Sequence, residues 1–292
     1  MKNPEVIKTE FQLINDIGEI ISGDLFIPSN AQNPMPLVII SHGFKAWKDW
    51  GFYPYVSEKI ADAGAIVVCF NFSLNGNPDV HAFIRETEKF AKNTVSQEIN
   101  DLEAVINAFT ISGNQIFSNV KNFWNGNIFL LGHSMGAAVS LLTMRTNANI
   151  SKTVLWASIA KFDRYTERQK KLWQEKGFLE FSNYKTKQIL RMNVKYLDDI
   201  ENNRDLFHLP SAISELSRPA LIVHGLQDVT VPVREAEELI EADNNNILQV
   251  YIIEKTGHTF GIAHPFKRSS PYLERAINKT FEFFELNNKY NS

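Results

Sequence analysis

Short, nearly continuous apolar runs separated by amphipathic stretches set the rhythm of this chain. Residues 37–40, 66–70, 128–131, 153–157, 220–225 and 249–253 are such runs. Their length and their Val, Ile and Leu content predict strands buried on both faces. Residues 55–63 and 96–109 instead repeat their apolar positions at helical spacing. In the second of these, Ile99, Leu102, Val105, Ile106 and Phe109 share one face. Gly64 stops the first, and a last helical pattern covers 272–286. Ahead of all these, the β-rich stretches 6–14 and 19–27 flank Asn15-Asp16-Ile17-Gly18, which predicts a hairpin. Pro34 and Pro36 mark a loop before the first buried run, and 71–78 is a polar loop. Strands alternating with helices at this spacing specify an α/β protein, a mostly parallel sheet with helices on both faces.

One segment breaks the rhythm. Residues 158–218 contain no buried-strand run and are rich in Lys, Arg, Glu, Asn and aromatic residues. Helical patterns cover 161–173 and 188–201, with Gly177 between them. A structureless loop of that length is disfavoured inside a compact domain. The expected organisation is one core domain from 1–157 and 219–292, with 158–218 inserted as a mainly helical lid. No internal repeat or low-complexity linker interrupts this plan.

Composition narrows the function without naming it. The chain has 292 residues, 44% hydrophobic and 22% charged, which fits a globular protein with a real core. A net charge of −3 gives no reason to expect a nucleic-acid partner. Cys69 is the one cysteine, so no intramolecular disulfide forms, and its apolar run predicts a buried structural thiol. Residues 1–10 lack an apolar signal region, and no run approaches the ~18 apolar residues of a membrane span. A cytoplasmic protein with no membrane partner is expected. The 21 phenylalanines suit an apolar acyl pocket, but they suit an ordinary core as well.

The chemistry concentrates where the apolar run at 128–131 meets Gly132-His133-Ser134-Met135-Gly136 and a second helical pattern. This reads as a strand turning sharply through Ser134 into a helix. The turn needs glycine at 132 and 136, because a Cβ at either position would clash. It would expose Ser134 Oγ and aim the Met135 N–H at whatever Oγ attacks. A serine hydroxyl needs a base, and the base needs an orienting acid. Ligands gather at the carboxyl ends of parallel strands, so both partners should follow strands. Asp228 lies directly after 220–225, ahead of Pro232, which helps start a helix. His258 follows the strand ending at Ile253. His264 is a rival base farther from its strand, and Asp243 and Asp205 are weaker acids. His133 should point away along the turn. At the end of the first buried strand, Ser41-His42-Gly43-Phe44 offers the Phe44 N–H as a second oxyanion donor, with Gly43 allowing the bend and His42 holding the loop.

With Ser134, Asp228, His258 and His42-Gly43-Phe44 in place, the chain resembles α/β-hydrolase-fold serine hydrolases. The likeness is to the esterase and serine-aminopeptidase-like branch, including cinnamoyl and feruloyl esterases and dienelactone-hydrolase relatives. It runs from the first hairpin to the final helix, with 158–218 in the usual lid position. Dienelactone hydrolases proper carry cysteine at the elbow, and dehalogenase and epoxide-hydrolase relatives carry aspartate; this chain has Ser134.

The expected activity is cleavage of carboxylic esters of small to medium acyl groups, aromatic ones included, through an acyl-enzyme on Ser134. The expected partner is a small-molecule ester, with no metal or organic cofactor. A peptidase or thioesterase using the same residues is the alternative, and a non-catalytic ligand-binding protein is the reading from another class. Trp47, Trp50, Phe162 and Trp173 are the candidate substrate contacts, with Tyr165, Phe178 and Tyr184 nearby in the presumed lid. Packing of lid onto core explains these aromatics equally well. Lys45, Lys48, Lys267 and Arg268 are the cations available to a carboxylate-bearing substrate, though solvated surface charge also explains them.

Overall fold

The computed structural model of the chain describes residues 6–77, 83–111, 116, 118, 120–183 and 187–286. The first strands are β1 (Val6–Ile14), β2 (Ile20–Pro28) and β3 (Met35–Ser41), followed by helix α1 (Tyr53–Asp62) and β4 (Ile66–Phe70). Helices α2 (Thr87–Ala91) and α3 (Val95–Thr110) come next, then β5 (Trp124–His133), α4 (Met135–Thr146) and β6 (Ile150–Trp156). Residues 158–218 carry α5 (Glu167–Lys176), β7 (Phe178–Asn183), β8 (Gln188–Asn193), α6 (Val194–Asn202) and α7 (Leu209–Ser214). The chain returns through β9 (Ala220–Gly225), α8 (Val233–Glu241), β10 (Leu248–Ile253) and α9 (Pro271–Phe284).

Eight strands form one sheet in the order β1-β2-β4-β3-β5-β6-β9-β10. The pairings β1–β2 and β2–β4 are antiparallel, and all others are parallel. This is the mostly parallel sheet that the strand rhythm predicts, arranged as the α/β-hydrolase fold that the resemblance implies. The two-residue period of a strand decides which core each side chain joins. Leu37 and Ile39 face α3 and α4, while Val38 and Ile40 face α1 and α9. Cys69 is in the second layer, where burial pushes its thiol pKa well above the ordinary range. Among the described residues, no helix is long and apolar enough to cross a membrane.

Residues 158–218, expected to be mainly helical, carry three helices and one hairpin among the described residues. The pattern read as one helix over 188–201 divides into β8 and α6. Residues 189–192 alternate, with Leu190 and Met192 buried and Ile189 and Arg191 exposed. That two-residue period pairs β8 with β7 as an antiparallel hairpin, and Arg191 meets Glu180 across it. The apolar count alone does not separate the two periods in so short a stretch. Gly177 closes α5 in the left-handed conformation, φ 78°, that lets the chain turn into β7. The short helices α2 and α7 have no counterpart in the sequence reading. Pro78 and Tyr184 lie outside the described residues.

A buried polar cluster ties α3 to the loops that follow β1 and β4. Asp101 accepts hydrogen bonds from the side chains of Asn15 and Gln97 and from the Ser73 N–H. Beside it, Glu98 accepts one bond from Asn93, and its second oxygen has no hydrogen-bond partner among the described residues. Burial, the larger effect, raises the Glu98 carboxyl pKa to about 8 against the opposing Asn93 bond. The folded state therefore holds a proton that the unfolded chain releases near 4.5. Stability from this group is complete below that value and is lost as pH rises toward about 8. Glu98→Gln is expected to raise the melting temperature at pH 9 by roughly 5–15 °C and to leave it unchanged at pH 4, measured by calorimetry.

Candidate active site

The site begins with a strained backbone. Ser134 links β5 directly to α4 with φ 57° and ψ −121°, a region that few residues with a side chain adopt. Its surroundings hold it there. The Ser134 N–H continues the sheet by donating to Trp156 O at 2.8 Å. A Cβ on Gly132 would lie 2.4 Å from Ala137 Cα, and one on Gly136 would lie 2.3 Å from His42 O. The close approach predicted for the two motif glycines is what the structure shows.

Opposite the elbow, the loop after β3 comes so close that a Cβ on Gly43 would lie 2.9 Å from Ser134 Cβ. His42 orients this loop. Its Nε2 accepts from the Phe72 N–H at 3.3 Å, which leaves Nδ1 to donate to Gly43 O at 3.0 Å. That carbonyl belongs to the same trans peptide as the Phe44 N–H, so fixing one direction fixes the other. Burial lowers the His42 pKa to about 4, so the ring stays neutral and can accept that bond. Among the described residues, neither the Phe44 N–H nor the Met135 N–H is taken by a hydrogen-bond acceptor.

The loops after β9 and β10 carry the acid and the base. The Leu226 N–H donates to Ile253 O and the Gln227 N–H to Thr256 O, both at 2.9 Å, so the two loops are laced together. Asp228 Oδ2 accepts from His258 Nδ1 at 2.8 Å. Its Oδ1 accepts from the N–H groups of Thr230 and Val231 at 2.8 and 2.9 Å. Burial works to raise the Asp228 pKa, but the His258 bond and charge and the two backbone bonds bring it below the usual value. Asp228 therefore stays ionised, and an imidazole held through Nδ1 keeps Nε2 free to take a proton. His258 and Ser134 line the same two cavities. The rivals are occupied elsewhere: His264 Nδ1 accepts from the Gly51 N–H, and Asp243 caps the turn before β10.

His133 was expected to point away along the turn. It is instead buried between the two loops and joins them. The Gly43 N–H donates to Tyr53 Oη at 3.1 Å, Tyr53 Oη donates to His133 Nδ1 at 3.2 Å, and His133 Nε2 donates to His258 O at 2.9 Å. Burial, reinforced by the neighbouring His258, lowers the His133 pKa to about 3. The ring is neutral and its two nitrogens keep distinct roles. His224, also missed from sequence, lies next to Asp228 and donates from Nε2 to Val231 O at 2.9 Å.

A cleft of about 260 Å³ opens beside Ser134. Phe44, Met135, Ile159, Phe162, Tyr165, Tyr196 and Val231 form its apolar wall, with Lys45, Arg164, Thr230 and His258. A smaller cavity of about 130 Å³, reaching Trp50, lies on the other side. Phe162 and Trp50 thus face the cavities. Trp47 and Trp173 line neither. Trp47 packs on the His264 ring, while Trp173 donates its indole N–H to Met192 O and stacks on Tyr196, holding the wall from behind. The lining from Ile159, Arg164 and Tyr196 had no signal in the sequence, because nothing in the 158–218 pattern shows which side chains turn inward.

Comparisons with known proteins agree with this architecture. An α/β hydrolase, GrgF from Penicillium sp. sh18, superposes with a TM-score of 0.72 at 15% identity, covering 96% of this chain and 98% of that one. Est1E from Butyrivibrio proteoclasticus, solved with ferulic acid bound, gives 0.68 at 18% identity over 94% and 98%. An esterase from Pyrococcus furiosus gives 0.62 at 16% identity over 96% and 90%. No curated protein sequence matches the chain. The model of the prolyl oligopeptidase family matches residues 60–284, and the chain, a hydrolase on the α/β-hydrolase fold, belongs to that family.

Proposed function

We propose that the protein is a serine hydrolase that cleaves carboxylic esters of small to medium acyl groups through an acyl-enzyme on Ser134. One observation carries this reading: Asp228 holds His258 at 2.8 Å through Nδ1 in the cavity where Ser134 sits at the elbow. In the first step Ser134 Oγ attacks the ester carbonyl as its proton passes to His258 Nε2. The oxyanion meets the N–H groups of Phe44 and Met135. His258 then protonates the leaving oxygen as the C–O bond breaks. A water attacks the acyl-enzyme with His258 again as base, and collapse frees the acid and restores Ser134. Asp228 keeps the tautomer and stabilises the imidazolium that forms twice. No hydrogen bond joins Ser134 Oγ to His258 among the described residues, and contacts of this kind tighten on substrate binding.

Residues 158–218 act in this reading as a lid whose inner face, with Phe162, Tyr165 and Tyr196, forms one wall of the cleft. Such aromatic walls suit an acyl group that carries a ring, and a structural neighbour binds ferulic acid. A peptidase is the second reading, favoured by the family itself. A peptidase gripping the free amine of its substrate needs a carboxylate in the cleft. Among the described residues the two cavities that border Ser134 are lined by Lys45 and, in one of them, Arg164, and by no Asp or Glu, which favours the ester.

A fluorophosphonate probe is expected to label the wild-type protein and not Ser134→Ala, and Asp228→Asn is expected to lower kcat by about 10⁴. Aryl esters, aminoacyl anilides and acyl-CoA compounds assayed side by side separate the activities. Anilide cleavage exceeding ester cleavage would overturn the esterase reading. The chain of bonds through Tyr53 and His133 gives a further expectation. Tyr53→Phe leaves the Gly43 N–H and His133 Nδ1 buried without partners, and urea unfolding should show a loss of about 1–3 kcal/mol. In the same variant kcat should fall with little change in KM, because the oxyanion and histidine loops lose their common brace.

A further inference from the structure

The four cations singled out in the sequence, and Arg164 beside them, differ sharply in their surroundings. Lys48 is held by Asp24 and Asp49, both at 2.8 Å, and Lys267 and Arg268 are exposed. Arg164 reaches the cleft, but Glu235 grips its guanidinium through both carboxylate oxygens, so its charge is already balanced. Lys45 is different. It lines both cavities that flank Ser134, and among the described residues it has no carboxylate or hydrogen-bond partner. Its ammonium lies 5.4 Å from the centre of the Phe44 ring, beside the peptide that offers the Phe44 N–H. The backbone at Lys45 has φ 61°, a conformation that residues with a Cβ seldom adopt, which marks a position held by its surroundings. Partial burial lowers the Lys45 pKa from its ordinary value, and no neighbouring anion offsets that loss of hydration.

Building on the ester-hydrolase reading, we infer that the substrate carries a carboxylate close to its scissile ester and that Lys45 binds it. A half-desolvated ammonium with no protein anion gains more from such a partner than a solvated surface lysine does. An anion on either side of the ester lies within the cavities that Lys45 borders, so the acyl group and the leaving group are both open to test.

Phenyl hydrogen glutarate against phenyl butyrate places the charge on the acyl side; 4-acetoxybenzoate against phenyl acetate places it on the leaving group. In one of these pairs the wild-type enzyme should prefer the anionic ester in kcat/KM by about ten-fold or more. Lys45→Met should abolish that preference and Lys45→Arg should restore most of it, with thermal melts confirming that both variants are folded. Equal rates within both pairs, or a preference that survives in Lys45→Met, would overturn the inference while leaving the ester hydrolysis standing. Titration with free glutarate and benzoate, followed by NMR, gives a readout without turnover. One of the two anions should bind wild type about ten-fold more tightly than Lys45→Met, and equal affinity for both would also overturn the inference. Loss of all ester cleavage together with absent fluorophosphonate labelling is the separate signature of a failed hydrolase reading.

Discussion

The left-handed turn at Ser134 is the constraint around which the rest is arranged. A backbone at φ 57° survives only where its neighbours leave no easier conformation. Glycines at 132 and 136 remove the side chains that would collide with α4 and with the loop after β3. Pairing of the Ser134 N–H with β6 then prevents relaxation toward an ordinary helix start. Those same close approaches bring Gly43 and Phe44 to the serine. The strain and the candidate oxyanion site therefore have one physical origin, the tight packing of two strand ends.

Hydrogen bonds to neutral, buried histidines extend that order outward. His42 sets the plane of the Gly43–Phe44 peptide, His133 joins that loop to the carbonyl of His258, and His224 props the turn that holds Asp228. Each ring is kept uncharged chiefly by burial, and His42 and His133 each use one nitrogen as donor and the other as acceptor, while His224 uses its donor. Asp228 is the exception, an ionised carboxylate whose buried charge is met by three hydrogen bonds. Charge in the cleft itself follows a different logic. Arg164 is balanced by Glu235, whereas Lys45, beside Ser134, has no balancing carboxylate among the described residues.

Residues 158–218 divide between structure and site. Trp173 and Met192 form an inner support, and Tyr196 and Phe162 stand between that support and the cleft. Aromatic residues of identical character in the sequence thus serve as packing in one case and as cavity wall in another. The antiparallel hairpin of β7 and β8 is part of the same segment, and its short alternation was hidden inside an apparent helical pattern.

The sequence alone determined the α/β architecture, the eight strand positions and the elbow, because buried parallel strands are continuous apolar runs and a strained turn demands small residues at set offsets. It also placed Asp228 and His258 on strand-end loops, and the structure brings these two within 2.8 Å of each other. Only the tertiary structure decided the role of His133, whose direction depends on Tyr53, eighty residues away, and on the His258 carbonyl. It alone decided that Trp50 and Phe162 face the cavities while Trp47 and Trp173 do not. Period and spacing report which face of an element is buried, but which buried side chains border a cavity depends on packing between segments far apart in the chain. The same holds for charge: Lys45 and Lys48 look alike three residues apart, and the positions of Asp24 and Asp49 in space neutralise Lys48, while Lys45 has no such carboxylate among the described residues.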